Sequence, residues 1–165
     1  MPNLLFDYDG TLHDSMKIYA PSVQLAWDRL AAKGLTEPRT LSEEELRRRG
    51  FRLVLLSNCP VSYLEAHTEQ FHLEQYFEGL YCAEEFGYRP KYEIFERLRG
   101  HYPGPFAVVG DRRHDMEAAQ RGGVPAIGCL YGYGSPEELA PAAYLAYAPS
   151  DLPRLAALFA ERCGE

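Results

Sequence analysis

The first residues of the chain that could carry out chemistry are two aspartates near its start. Asp7 and Asp9 are two positions apart and follow the apolar run Leu4-Leu5-Phe6. Two carboxylates this close repel each other unless a cation or a proton lies between them. Asp also favours turns and helix N-caps, but an acid at the end of an apolar run, followed by Gly-Thr, fits turn chemistry poorly. The pair indicates a cation-binding or acid–base site.

Two further acids follow a later apolar run. Asp111 comes directly after Phe106–Gly110, and Asp115 follows four positions later. Ligands bind outside the carboxyl ends of the strands in open α/β sheets, so acids that follow two strands converge on one edge. Mg²⁺ is a hard cation that binds a few carboxylates and keeps several waters. The acids therefore predict a magnesium site, although Asp115 alone could equally be a helix cap.

Short apolar runs alternate with amphipathic stretches, which is typical of an α/β domain with a mainly parallel sheet. The predicted strands are Leu4–Tyr8, Arg52–Ser57, Gly79–Ala83, Phe106–Gly110, Ala126–Leu130 and a shorter edge strand, Ala143–Tyr147. The predicted helices are one from Pro21 to Gly34, then Ser42–Arg49, Tyr63–Phe71, Lys91–Arg99, Asp115–Arg121 and Asp151–Ala160. These elements would place the acids at strand ends.

Composition limits the classes of function. The chain has 165 residues, of which 46% are hydrophobic and 25% charged, the size and balance of one globular domain. A net charge of −7 argues against a nucleic-acid backbone as partner. No apolar run approaches the roughly 18 residues that a membrane span needs. The N-terminus lacks the basic start and apolar stretch of a signal peptide, so a cytoplasmic location is expected.

Three segments resemble motifs of the haloacid dehalogenase (HAD) superfamily, specifically its phosphatases. The segment Asp7-Tyr8-Asp9-Gly10-Thr11 is similar to the first motif, Ser57-Asn58 to the second, and Asp111 to Asp115 to the fourth. The stretch 109–139 is similar to phosphoglycolate phosphatase-like members. The resemblance implies a Rossmann-like, three-layer α/β/α domain with a minimal helical cap.

The resemblance also implies a mechanism of phosphate ester hydrolysis. Asp7 would attack phosphorus and form an aspartyl-phosphate, which divides one difficult step into two easier ones. Asp9 would protonate the leaving alcohol and then activate water. Dehalogenases lack an acid at the second position, because a halide needs no proton, so Asp9 favours phosphoryl chemistry.

The remaining site residues are assigned through the same resemblance. Mg²⁺ would be held by Asp7, the Asp9 backbone carbonyl, Asp111 and Asp115. The phosphoryl group would be bound by Gly10, Thr11, Ser57 and Asn58. The expected substrate is a small-molecule phosphate ester, and neither nucleic acid nor membrane is expected as a partner.

The third motif should supply a lysine that neutralises the nucleophile and the phosphate. The segment Arg89-Pro90-Lys91 offers two candidates. Alignment on the common Lys-Pro form selects Arg89, whereas the Lys-x-Glu form of some phosphoglycolate phosphatase-like members selects Lys91. Lys91 is favoured because a lysine is a compact point charge that arginine does not replace equally.

The cap expected between the first two motifs is strongly reduced. Only about Ser15–Leu41 remain for it within a single domain spanning 1–165. This reduction implies an open site, a neighbouring subunit that serves as a lid, or a bulky substrate. The alternative function is a catalytically weak or inactive HAD-fold binding or scaffold protein, which would bind Mg²⁺ without turnover.

Overall fold

The computed structural model describes residues 1–13 and 42–163. The expected cap segment, Ser15–Leu41, and the helix predicted from Pro21 to Gly34 lie outside the described residues. Within the described part the structure contains six strands and five α-helices. The strands are β1 (Asn3–Phe6), β2 (Arg52–Ser57), β3 (Gly79–Cys82), β4 (Phe106–Gly110), β5 (Ala126–Cys129) and β6 (Tyr144–Ala146).

The first four helices each lie between one strand and the next along the chain, the fifth follows β6, and together they pack on both faces of the sheet. They are α1 (Ser42–Arg48), α2 (Val61–Phe71), α3 (Lys91–Leu98), α4 (Arg113–Gly122) and α5 (Leu152–Cys163). None of these described helices is long and apolar enough to cross a membrane.

All six strands are parallel and follow the order β3-β2-β1-β4-β5-β6. Side chains alternate across the central strand β1, so Phe6 packs on one face and Leu5 on the other. The Phe6 face is covered by α1, α2 and α5, through residues such as Phe159. The Leu5 face is covered by α3 and α4, through residues such as Ile94. The predicted three-layer α/β/α fold is therefore confirmed.

The order of the strands defines where a ligand can bind. The chain runs outward from β1 to β2 and β3, then returns to place β4 on the other side of β1. Phe6 pairs with Leu55 on one side and with Val109 on the other, so the carboxyl ends of these strands are level. The crevice between β1 and β4 is a topological switch point, the usual ligand position in such sheets.

The segment after β1 differs from the prediction of a regular strand to Tyr8. The strand ends at Phe6, although the Asp7 N–H still donates to the Val109 carbonyl at 2.8 Å. The chain then turns sharply, because the Tyr8 carbonyl accepts the N–H groups of Leu12 and His13, both at 2.9 Å. Asp7 and Asp9 therefore do not continue a pleated strand, and their side chains have different partners.

Candidate active site

Three aspartate side chains meet at the switch point. Asp7 follows β1, Asp111 follows β4, and Asp115 lies in the first turn of α4. One carboxylate oxygen from each lies within 4.8 Å of the others, and all three residues are buried. Two distant stretches of the chain thus supply a single acidic cluster.

Lys91, the first residue of α3, reaches this cluster. Its ammonium donates to Asp7 Oδ1 at 2.5 Å and to Asp115 Oδ1 at 2.6 Å, and the residue is only 5% exposed. Arg89 instead lies on the surface and pairs with Glu93 at 3.0 Å. Of the two candidates for the third motif, the structure brings Lys91 to the nucleophile candidate and leaves Arg89 on the exposed side of the helix start.

Asp115 combines the two roles that the sequence left open. Its Oδ2 accepts the backbone N–H of Arg112 at 3.0 Å, which caps the start of α4, while its Oδ1 accepts from Lys91. Gly110 allows this close packing, because a Cβ there would lie 2.2 Å from Asp115 Cγ. The acid therefore ties the helix start to the cluster.

Asp111 accepts hydrogen bonds from two loops, the one after β1 and the one after β5. Its Oδ1 accepts from the Thr11 hydroxyl at 3.3 Å, and its Oδ2 accepts from the Tyr133 backbone N–H at 2.6 Å. Tyr131 fastens the two loops to each other, because its hydroxyl donates to the Thr11 carbonyl at 2.9 Å. The carboxylate orientation is thus set from both sides of the crevice.

Glycines allow these loops to approach Asp111. A Cβ on Gly10 would lie 2.2 Å from Asp111 Oδ2, and one on Gly132 would lie 2.3 Å from Asp111 Cβ. A Cβ on Gly134 would overlap the Asp111 carbonyl oxygen. The Gly-x-Gly spacing of Gly132 and Gly134, just after β5, is the local sequence signal for this close approach, and both lie in the stretch 109–139 that carries the resemblance.

The cluster carries more negative charge than Lys91 neutralises. Burial, with repulsion from Asp115 next, raises the pKa of Asp7 to about 8 despite the attraction of Lys91. Burial also raises the pKa of Asp111. Burial lowers the pKa of Lys91, but Asp115 and Asp7 raise it by more, so this side chain stays charged. Three buried carboxylates with one ammonium fit a hard divalent cation such as Mg²⁺.

Asp9 stands apart from the three acids and has its own partners. The Tyr63 hydroxyl donates to Asp9 Oδ1 at 2.8 Å, and His13 Nδ1 lies 3.6 Å from the same oxygen. Burial raises the pKa of Asp9, but His13 and Tyr63 lower it by more, so the pKa is below its usual value. Tyr63 was predicted only as a helix residue, and no local sequence signal marks it as a partner of Asp9.

The predicted phosphate-binding residues surround the same edge of the sheet. Ser57 is the buried last residue of β2, beside β1, and Asn58 follows it on the surface. The N–H groups of Gly10 and Thr11 are used within the turn, where they donate to His13 O at 2.7 Å and Tyr8 O at 3.3 Å. Gly10 and Thr11 thus shape the loop and contact Asp111, in addition to lying near the crevice.

Comparison with known proteins places the chain in a family. The family model of the haloacid dehalogenase-like hydrolases matches residues 37–123, more than half of the chain. The chain therefore belongs to the haloacid dehalogenase-like hydrolases, as the motifs predicted.

Curated relatives include phosphatases of two kinds. A 5'-nucleotidase of Pseudomonas aeruginosa is 28% identical over 191 aligned residues, covering 84% of this chain and 86% of the relative. The aligned length exceeds the 165 residues of this chain, so the relative contains insertions that this chain lacks. A phosphoglycolate phosphatase of Escherichia coli is 28% identical over 99 residues, which are 57% of this chain but only 39% of that protein.

Solved structures agree with the fold. A predicted phosphatase from Clostridium acetobutylicum superposes with a TM-score of 0.72 at 22% identity, covering 95% of this chain and 98% of the other. A predicted phosphoglycolate phosphatase from Haemophilus somnus gives 0.69 at 18% identity, covering 93% and 96%. At these identities the likeness concerns the fold alone.

Proposed function

We propose that this chain is a Mg²⁺-dependent phosphomonoester hydrolase that uses Asp7 as its nucleophile. The observation that carries the proposal is the position of the Asp7 carboxylate at the switch point. It lies against the Lys91 ammonium and shares a buried cluster with Asp111 and Asp115. Family membership and phosphatases among the relatives support the same chemistry.

In the first proposed step, an Asp7 oxygen attacks phosphorus and the bond to the leaving oxygen breaks. This forms an aspartyl-phosphate and splits the reaction into two easier steps. Lys91 offsets negative charge on the nucleophile and on the incoming phosphate. Asp9 gives a proton to the leaving oxygen, so the departing group is an alcohol.

In the second step, Asp9 takes a proton from water and the water oxygen attacks phosphorus. The bond between phosphorus and Asp7 breaks, which releases inorganic phosphate and restores the Asp7 carboxylate. Asp9 ends this step protonated and can then serve as the acid of the next turnover.

The cation and the phosphoryl group would have distinct sets of ligands. Mg²⁺ would be held by Asp7, Asp111, Asp115 and the backbone carbonyl of Asp9. When bound, the cation would neutralise negative charge on the phosphoryl oxygens. The Ser57 hydroxyl would donate to those oxygens, with Asn58 at the rim. The N–H groups of Tyr8 and Asp9, which have no backbone acceptor within residues 1–13 and 42–163, are the loop donors suited to this task.

The substrate class proposed is a small phosphate monoester with an alcohol leaving group. The relatives named as a 5'-nucleotidase and as phosphoglycolate phosphatases act within this class. We further propose a single domain over 1–165 whose short insert, about 15–41, leaves the substrate partly uncovered. A bulky ester, or a second subunit acting as a lid, would then complete the enclosure.

The test is hydrolysis of para-nitrophenyl phosphate by the purified full chain with Mg²⁺ and with a chelator. We expect Asp7→Asn to remove turnover while Asp151→Asn, a matched change in the short turn before α5, where the carboxylate accepts the N–H groups of Tyr147 and Ala148, retains it. Equal turnover in wild type and Asp7→Asn would refute the proposal. Mg²⁺ binding without any turnover in the wild type would instead support an inactive binding or scaffold protein.

A further inference from the structure

Two aromatic residues of α2, Tyr63 and His67, lie beside Asp9: Tyr63 contacts its side chain and His67 stacks on Tyr63. Tyr63 and His67 are one helical turn apart and face the same side. Their rings stack with centroids 4.1 Å apart and an interplanar angle of 27°. The Tyr63 hydroxyl donates to Asp9 Oδ1 at 2.8 Å. One face of α2 thus presents a supported hydroxyl to the proposed general acid.

The same face of α2 also contacts the loop that carries Asp7 and Asp9, through a hydrogen bond between His67 and Tyr8. Tyr8, the residue between them, is buried, and its hydroxyl lies 2.9 Å from His67 Nδ1. The His13 ring stacks on Tyr8 with centroids 5.3 Å apart and an angle of 6°. The helix and the loop are therefore joined by two hydrogen bonds, one from Tyr63 to Asp9 and one between Tyr8 and His67.

We propose that Tyr63 is a positioning residue that orients the Asp9 carboxyl group for proton transfer to the leaving group. The inference rests on the proposed function, because it assigns Asp9 the acid role in hydrolysis. Asp9 is only half-buried, so its carboxyl would sample several rotamers without a fixed partner. A hydrogen bond from Tyr63 selects one of them.

The direction of this hydrogen bond decides which oxygen carries the proton. Tyr63 donates to Oδ1, so a proton held by Asp9 resides on Oδ2. That proton moves to the leaving oxygen in the first step, and water returns one to the same oxygen in the second. Tyr63 keeps its own proton throughout, and no other donor or acceptor is required.

The test compares two esters that differ in their need for an acid. The alcohol of ethyl phosphate must be protonated as it leaves, whereas nitrophenolate leaves without a proton. We expect Tyr63→Phe, which keeps the ring but removes the hydroxyl, to lower kcat/KM for ethyl phosphate about tenfold to hundredfold, a part of the roughly 100- to 10,000-fold that general acid catalysis contributes. For para-nitrophenyl phosphate kcat/KM should change less than about threefold.

A matched control removes a different tyrosine hydroxyl. Tyr81 and Tyr102 share a hydrogen bond of 2.8 Å among residues that pack on the other face of the sheet. Tyr81→Phe should leave the ratio of the two kcat/KM values unchanged. His67→Phe, which removes the hydrogen bond to Tyr8, should shift the ratio in the same direction as Tyr63→Phe but by less. If Tyr63→Phe does not fold, His67→Phe replaces it as the test.

Each outcome separates the inference from the proposed function. Equal loss on both esters, or no loss on either, would overturn the positioning role of Tyr63 while leaving the hydrolase intact. Absence of turnover in the wild type, or equal turnover in Asp7→Asn, would overturn the proposed function and the positioning role with it. A loss specific to ethyl phosphate would support the inference.

Discussion

Lys91 connects two acids that enter the site from different parts of the chain. It contacts Asp7, at the end of the first strand, and Asp115, at the start of α4. Buried charges are tolerated only when they are paired and hydrogen-bonded, so removal of one partner leaves an uncompensated charge. In the proposed reaction the lysine therefore serves both the chemistry and the folded state.

Replacement of Lys91 by methionine should affect both at once. We expect Lys91→Met to lower Mg²⁺-dependent hydrolysis at least about hundredfold, as loss of one charge-stabilising donor does in other sites. The free energy of unfolding at neutral pH should fall by about 3–5 kcal/mol, because two buried carboxylates lose their ammonium. Urea unfolding followed by circular dichroism measures the second effect.

Arg89→Met is the matched comparison. The Arg89 side chain is 51% exposed and its pair with Glu93 contributes only about 0.3–0.5 kcal/mol. Turnover should stay close to that of the wild type. A loss of activity in Arg89→Met together with retained activity in Lys91→Met would contradict the placement of Lys91 as the third-motif lysine.

The sequence indicated some site residues and could not indicate others. Asp7 and Asp111 follow apolar runs, and parallel strands bring such ends together, so their meeting was predictable. The choice between Lys91 and Arg89 depended on which of the two side chains around the start of α3 faces inward. Tyr63 reaches Asp9 across 54 positions of the chain, through the packing of α2 against the loop after β1, which no local pattern encodes.

At the scale of elements, the loops after β1 and β5 pack closely around Asp111. Gly134→Ala should distort this packing, because the new Cβ would collide with the Asp111 carbonyl oxygen. We expect turnover with saturating Mg²⁺ to fall about tenfold to hundredfold, since displacement of a site group by about 1 Å costs this much. Steady-state kinetics on the folded variant, checked by circular dichroism, measures the loss.

Gly123→Ala separates this collision from ordinary backbone strain. Gly123 ends α4 with φ +62°, but a Cβ there would meet nothing within 4 Å. The substitution should cost about 1 kcal/mol of stability through strain and leave turnover unchanged. Equal turnover in both alanine variants would show that the Gly134 contact is irrelevant to the site.

The elements themselves were largely predictable. Each predicted strand lies within two residues of its observed bounds, because short apolar runs bounded by polar residues are typical of buried parallel strands. The errors have local causes. The first strand stops early where the Tyr8 carbonyl closes a turn, and α4 begins at Arg113 because Asp115 caps it from inside the first turn.

At the scale of the whole molecule, the buried acids act against the stability of the fold. The pKa of Asp7 rises from 3.8 to about 8 on burial. A group whose pKa is raised in the folded state stabilises the protein below its unfolded pKa, and this stability is lost as the pH rises through the folded value. A cation that binds the ionised form opposes the loss.

Removal of the divalent cation by a chelator should therefore make the stability of the wild type depend on pH. In a chelator, we expect the unfolding temperature of the wild type to fall relative to that of Asp7→Asn as the pH rises from 3.8 towards about 8. Added Mg²⁺ should close this difference, most strongly at the upper end of the range. A constant difference across the range, measured by differential scanning fluorimetry, would contradict the raised pKa of Asp7.

The fold class was predictable at this scale, but the strand order was not. Alternation of strands and helices requires parallel pairing with right-handed crossovers. It does not state on which side of β1 the fourth strand is added. That choice creates the switch point, and therefore the site, through contacts between residues about a hundred positions apart.

The central position of β1 has a consequence for synthesis on the ribosome. This strand is made first, yet one of its two edges is covered only when Phe106–Gly110 has emerged. Until then a nascent chain carries Asp7 without Asp111 or Asp115, beside an open strand edge of the kind that promotes misassociation. The acidic cluster thus forms late, because its last member, Asp115, lies more than two thirds of the way along the given sequence.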